Sequence, residues 1–458
     1  MDISKSNAYS RREFIGSGFV LASAALTVPA FIQRSAQAMT VGMLDSLSSQ
    51  PGVPEDHILL VIQMGGGNDG LNTVIPFGSP EYYKARPGIG VAERDCLKLS
   101  GADGIGLHPQ LTGFKDIFDQ GGLAIIQGIG YPNPNRSHFK SMDIWHTADL
   151  TATGDGWLGK YFDAECCGYG KGESGSADGS KKQLTGKEAL AAAAKAESAS
   201  GSDAPGIAIG RSAPLAMQGR LIKPISFESA DLFKWSGSEI NDQLKKTYNE
   251  ISRRGQVGEG DKNSNFLMRT ALDAQVSSDL IRKAVNSQST AAYPGNDLAR
   301  QLKMIASMIR AGLKTRVYYA QIGGFDTHAG QGGSQGRHGN LINQVAASVK
   351  AFYADLKSSE LDGKVLTMTF SEFGRRVGQN ASGGTDHGTA APMFLAGPMV
   401  KGGVYGDHPS LKDLDDGDLK FNIDFRTVYA GVLDGWLKTK PAAVLGGSFQ
   451  PLKFLKKA

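Results

Sequence analysis

An aspartate and a histidine stand side by side in the loop 385–392, bounded by Thr385 and Gly388 and followed at once by the apolar run 393–397. A carboxylate and an imidazole placed like this can face one cation, or two neighbouring ones, and oxygen and nitrogen ligands suit Zn or Mn. By itself Asp386-His387 says little, because such a pair in a loop is more often joined by a side-chain hydrogen bond. The chain offers three similar loops. Asp326 and His328 lie in Gly323-Gly324-Phe325-Asp326-Thr327-His328, Asp69 in Gly65-Gly66-Gly67-Asn68-Asp69-Gly70, and Glu372 and Arg375 in Ser371-Glu372-Phe373-Gly374-Arg375. A fifth stretch, Arg136-Ser137-His138-Phe139, sets a hydroxyl where a helix begins. That position suits an N-cap, and the positive field of a helix N-terminus also holds anions or stabilises an alkoxide. For Asp69 the plain alternative is the turn chemistry of Asn-Asp-Gly.

The elements that carry these loops follow from the apolar pattern. Runs 57–64, 123–129, 316–322, 365–370 and 393–397 are short, apolar and rich in β-branched residues, as central parallel strands are. Four of the acid-bearing segments lie at strand tips. In an open parallel sheet the carboxyl ends share one edge, so Asp69, Asp326 with His328, Glu372 with Arg375, and Asp386 with His387 are expected to converge there. The triple glycine 65–67 has neither the GxGxxG spacing nor a GK[ST] ending, which argues against a nucleotide loop. Helices are expected over 109–120, from 137 through Met142 and Trp145, over 336–357 and over 425–437. Three more, over 239–254, 265–286 and 297–311, form a helical segment within 238–312. Between 166 and 205 the composition turns to Gly, Ser, Ala and Lys, which suggests a low-complexity insertion.

Composition limits the function. The formal net charge of +4 is small for 458 residues and the signs are mixed, so no basic stripe for nucleic acid stands out. At the N-terminus Ser10-Arg11-Arg12-Glu13-Phe14-Ile15-Gly16 is a twin-arginine pattern, followed by an apolar run over 19–32 and the small-residue site Ala36-Gln37-Ala38. That order describes a twin-arginine (Tat) signal peptide over 1–38, read by the Tat translocon, with export to the periplasm or beyond. The run is short and holds Thr27 and Pro29, so no stable membrane anchor is expected after cleavage. About 420 residues would remain, enough for one large α/β domain over 39–458. The three cysteines, Cys96 and the adjacent Cys166 and Cys167, cannot form a full disulfide framework. Export of an already folded chain favours a cofactor loaded before export.

Taken together, the motifs resemble a known family. Asp69 after the first strand, Ser137 at a helix start, Asp326 with His328, and Asp386-His387-Gly388 follow the ligand order of the alkaline phosphatase superfamily, which includes phosphatases, sulfatases and phosphoglycerate mutases. More closely, the chain resembles the DUF1501 family of exported bacterial proteins. The marks are Gly66-Gly67-Asn68-Asp69-Gly70-Leu71-Asn72, Arg136-Ser137-His138-Phe139, Phe325-Asp326-Thr327-His328, Ser371-Glu372-Phe373-Gly374-Arg375 and Gly384-Thr385-Asp386-His387-Gly388. The resemblance implies an α/β, alkaline-phosphatase-like three-layer sandwich, with a mostly parallel central sheet and helices on both faces. It brings no established reaction.

Carried over residue by residue, the resemblance implies that Asp69, Asp386 and His387 hold one metal, with Ser137 bridging. Asp326, His328 and a third histidine would hold another. His408, past the Gly402-Gly403 turn, is the expected third histidine, with His338 and His138 as substitutes. Arg136 or Arg375 would contact an anionic ester. Two departures stand out. Asp326 and His328 are two residues apart, where the superfamily usually leaves a full helical turn. The echo of a sulfatase signature in Asn133-Pro134-Asn135-Arg136 has Pro132 at the nucleophile position, which argues against a conventional sulfatase. The resulting expectation is an exported metal-dependent hydrolase of phosphate or sulfate esters. It would use Ser137 as nucleophile and one or two divalent ions (Zn, Mn, Ca or Mg). Its rival is a non-catalytic member of the same fold that binds a glycan or a protein partner.

Overall fold

Alternate residues of one strand feed two cores, and this sorts the molecule into layers. In β1 (Ile58–Met64), the side chains of Ile58, Leu60, Ile62 and Met64 join one buried cluster, while Leu59 and Val61 join another. A strand whose two faces are both buried must read as a nearly continuous apolar run, as this one does. The structure, a computed structural model, describes residues 57–167, 204–220, 222, 224–229, 281–285, 289 and 291–456.

The remaining strands of the main sheet are β2 (Leu123–Gly130), β3 (Gly206–Ile209), β4 (Ile225–Phe227), β5 (Val317–Ile322), β6 (Val365–Phe370), β7 (Ala391–Ala396), β8 (Gly403–Tyr405) and β9 (Ile423–Asp424). Across the sheet they run β8-β2-β7-β6-β1-β5-β3-β4, with β9 also paired to β2. Among the described residues of this sheet only β7 runs against its neighbours, β2 and β6, and the other pairings are parallel. The fold is therefore α/β with a mostly parallel central sheet.

Helices α1 (Thr112–Asp119), α4 (Asp297–Arg310) and α5 (Arg337–Lys357) cover the face of Leu60 and Ile62, through Phe114, Leu302, Ile305, Val349 and Phe352. The opposite face is covered by α2 (His138–Thr147), α3 (Trp157–Cys167) and α6 (Phe425–Gly431), through Trp145, Trp157, Phe162, Phe425 and Tyr429. Each fully buried apolar side chain of this size contributes about 1.5–3 kcal/mol. The helix expected over 109–120 begins at Thr112, and the one over 425–437 passes into a π-helix at Val432–Trp436. The expected signal peptide, the insertion and the helix over 239–254 lie outside the described residues, as does most of the helix over 265–286. Among the described residues no helix is long and apolar enough to cross a membrane. Cys96 is a free, buried thiol.

Two histidines are held neutral inside this framework. Burial lowers His146 to about 4, beside Gln63 and Tyr319. Burial also lowers His338 to about 3, against the opposing pull of Asp69. Both folded values lie below the unfolded value near 6.5, so the unfolded chain binds more protons between them. Stability is therefore expected to fall as pH drops from about 6.5 towards 4, by roughly 1.4 kcal/mol per pH unit for each residue. Urea unfolding of His146→Gln across this range should show a correspondingly shallower acid limb. A slope equal to that of the parent protein would contradict the assignment.

Candidate metal centre

The loop after β1 turns back on itself at Gly66, whose φ of 118° belongs to glycine, and where a Cβ would lie 2.4 Å from the backbone nitrogen of Asp326. Here the glycine run serves close approach, bringing the tips of β1 and β5 together. Gly384 does the same between loops, since a Cβ there would lie 2.3 Å from the Thr327 carbonyl oxygen. The loop after β6 carries Glu372 and Arg375, and the same excursion continues to Asp386 and His387 before β7 begins. Those two residues precede their strand. They reach the carboxyl rim because β7 is antiparallel, so that its first residues lie beside the last residues of β6.

At that rim three imidazoles meet one carboxylate. His387 Nε2 lies 3.2 Å from Asp326 Oδ1, His328 Nε2 lies 3.2 Å from the same oxygen, and His138 Nε2 lies 3.7 Å from it. The Nε2 atoms of His328 and His387 are 2.9 Å apart. Ligand atoms of His138, Asp326 and His387 all fall within 4.8 Å of one another, which makes them a group able to hold a metal ion. For comparison, ligands about 2.0–2.1 Å from a tetrahedral ion stand about 3.3 Å apart.

What turns these rings inward lies behind them. His138 Nδ1 is 2.7 Å from Glu372 Oε1, His328 Nδ1 is 3.0 Å from Asp386 Oδ1, and His387 Nδ1 is 2.9 Å from the Arg136 carbonyl oxygen. With Nδ1 turned to these acceptors, each ring presents its Nε2 to the cluster. Glu372 is buried, accepts also from the Gly66 amide at 2.8 Å, and has its own carbonyl gripped by Ser141 Oγ and Trp145 Nε1. Burial lowers His387, which favours the neutral ligand form. Partial burial opposes ionisation of Asp326, but the hydrogen bond and the charge of Arg375 outweigh it and bring its pKa down to about 2. The donor set, nitrogen-rich with one carboxylate, fits a cation such as Zn.

The structure brings together Asp326, His328 and His387 of the expected ligands, with Asp386 one step back. The Asp386 carboxylate accepts from Asn380 and from His328, and so orients a ring; the hydrogen bond from Asn380, then that from His328, holds its pKa below the usual value. Asp69 is a correction. Its carboxylate is fully buried and accepts from Arg86 Nη1 at 2.6 Å, from Gln331 Nε2 at 2.5 Å and from the Leu71 and Asn72 amides. Desolvation opposes its charge, yet the charge of Arg86, with the hydrogen bonds from Arg86 and Gln331, keeps the pKa below normal. With both oxygens engaged inside the protein, it is not presented to the cluster.

His408 is also misplaced by the sequence. It follows β8, the edge strand of the sheet. Its Nδ1 bonds the Pro409 carbonyl oxygen, and the ring lines a small pocket with Leu71, Gln127 and Pro392. His138 fills the role instead, because the loop after β2 carries the start of α2 to Glu372. The signal was present in the motif Arg136-Ser137-His138, three residues before Ser141, which anchors the helix to the Glu372 carbonyl. His338, the other substitute, is buried against Asn68 and Thr73.

The two arginines expected at the substrate are occupied. Arg136 donates from Nε to Asp418 at 2.7 Å and reaches Asp416. The side chain of Arg375 has no exposed surface and is ringed by the carbonyls of Gly66, Gly67, Phe325 and Thr385 and by Asp326 Oδ1 at 2.6 Å. It ties loops together and steadies a ligand, and it is not positioned to meet solvent-borne substrate. Ser137 occupies the N-cap position of α2, is exposed, and its side chain makes no capping bond.

The family model described as "Protein of unknown function (DUF1501)" matches residues 241–440, a stretch that holds the 325–328, 371–375 and 384–388 motifs but not those around Asp69 and Ser137. No curated protein matches the chain. Among solved structures, the alkaline phosphatase from the Antarctic bacterium TAB5 is 11% identical, with a TM-score of 0.29 over 77% of this chain and 95% of that one. At so low a score the functional reading rests on the site's own geometry.

Proposed function

We propose that this chain is an exported metal-dependent hydrolase of phosphate or sulfate esters, acting through a single divalent cation held by His138, Asp326 and His387, with His328 beside them. The observation that carries the reading is the convergence of three imidazole Nε2 atoms on one carboxylate, each ring turned inward by an acceptor at Nδ1. One ion is favoured over two because Asp69, the carboxylate expected for a second, is spent on Arg86. When bound, a divalent cation supplies the positive charge that polarises an ester oxygen and stabilises charge developing in the transition state. The chain's own part is to orient the rings and to keep Asp326 ionised. Ser137, beside His138 in sequence and free of a capping bond, is the proposed nucleophile; its Oγ would bond to phosphorus or sulfur as the alcohol of the ester leaves. Export through the Tat translocon would place this activity in the periplasm or outside the cell.

Metal analysis of protein purified without chelator is expected to find about one Zn, Mn, Ca or Mg per chain. Aryl phosphate mono- and diesters and aryl sulfates then separate the arms. Turnover lost in Ser137→Ala with metal retained supports the nucleophile, and turnover that survives it assigns attack to water. Absence of both metal and turnover would leave the binding-protein reading.

A further inference from the structure

We infer that Gln331 is a positioning residue for the metal centre, setting the spacing between the loop of Asp326 and His328 and the loop of Asp386 and His387. The inference rests on reading the His/Asp cluster as a metal centre. Gln331 is fully buried, as are Asp69, Thr327 and Thr385. Its Oε1 accepts from Thr327 Oγ1 at 2.9 Å and from Thr385 Oγ1 at 2.7 Å, while its Nε2 donates to Asp69 Oδ2 at 2.5 Å. Thr327 stands between Asp326 and His328, and Thr385 directly precedes Asp386. One amide therefore buttons the two ligand loops together.

The direction of this chain of bonds is forced. An ionised carboxylate only accepts, so Asp69 obliges the amide to present its nitrogen, and the oxygen then faces both threonine hydroxyls, which must donate. Arg86 completes the network from behind. It is salt-bridged to Asp69 and donates from Nε to the Val377 carbonyl and from Nη2 to the Arg376 carbonyl, both in the loop between β6 and β7. Further backbone bonds run alongside, from the Gln331 amide to the Gly383 carbonyl and from the Thr385 amide to the Thr327 carbonyl. Asp69 thus acts on the site at a distance, by fixing the orientation of Gln331.

Titration with Co2+ alone, followed by its visible absorption, tests the idea. In Gln331→Met, which keeps length but removes the amide, the Co2+ dissociation constant should rise ten- to a hundred-fold and the absorption band should change shape, as expected when groups behind metal ligands are lost. Thr327→Val should weaken binding in the same direction, and Thr327→Ser, which keeps the hydroxyl, should restore it. Asp355→Asn serves as the stability control, since it disturbs a buried pair with Arg310 and Tyr293 away from these loops. It should lower Tm without moving the Co2+ constant. Parent-level affinity and spectrum in Gln331→Met, or an equal loss in Asp355→Asn, would overturn the inference alone. A parent protein that takes up no Co2+ removes the metal reading, and this inference with it.

Discussion

His387→Ala is expected to release the metal and take turnover below detection, while Glu372→Gln should leave the ion bound but ten- to a hundred-fold more weakly. The two differ because they act at different depths. His387 offers its Nε2 to the cluster directly, 3.2 Å from Asp326 and 2.9 Å from His328, and alanine removes that ligand atom altogether. Glu372 instead accepts the His138 Nδ1 proton at 2.7 Å, which fixes the ring's tautomer and raises the basicity of its other nitrogen. A glutamine there can still accept through its amide oxygen, but without the charge. Isothermal titration with Zn2+ reads both variants, and circular dichroism checks that each is folded. A His387→Ala protein that retains stoichiometric metal would remove His387 from the ligand set. Equal loss from both variants would instead mean that Glu372 supports the fold of the rim more than the ring.

Arg86→Met should be the most damaging single change to stability. Arg86 and Asp69 both have fully buried side chains, and the guanidinium is 2.6 Å from the carboxylate. Replacing the cation strands a buried negative charge, at a cost of about 3–5 kcal/mol. The pair need not be strongly stabilising for this to hold, because the penalty comes from the uncompensated partner. Adding Asp69→Asn to Arg86→Met should therefore recover part of the loss, a sign that independent sites would not give. The pH dependence gives a second check. Because the folded pKa of Asp69 lies below its ordinary value, the stabilisation it brings is present above about 3.9 and is lost as pH falls through the folded value. In the variant, protonating Asp69 instead relieves the stranded charge. The gap in unfolding free energy between parent and variant should then narrow as pH falls, first as Asp69 takes up its proton in the folded variant and, below about 4, as the parent loses its own stabilisation. A gap that stays constant would mean that Asp69 does not carry the effect.

Much of this protein could be read from its residues. Apolar, β-branched runs that end in glycine-rich turns fix both the strands and the end of the sheet where chemistry collects, since side chains of a doubly buried strand have nowhere to be polar except at its tip. On that basis Asp326, His328, Asp386 and His387 were all legible as rim residues. Three matters were decided only in three dimensions. The direction of β7 put Asp386 and His387 on the correct side, and strand direction is a property of pairing that an apolar run does not encode. The choice of His138 over His408 depended on the path each loop takes beyond its strand: the one after β2 carries α2 to Glu372, while His408 packs beside Leu71 and Pro392. The fate of Asp69 depended on Arg86, seventeen residues on and turned inward to meet it. A carboxylate at a strand tip becomes a ligand or an anchor according to which cation reaches it first, and local sequence does not record that contest.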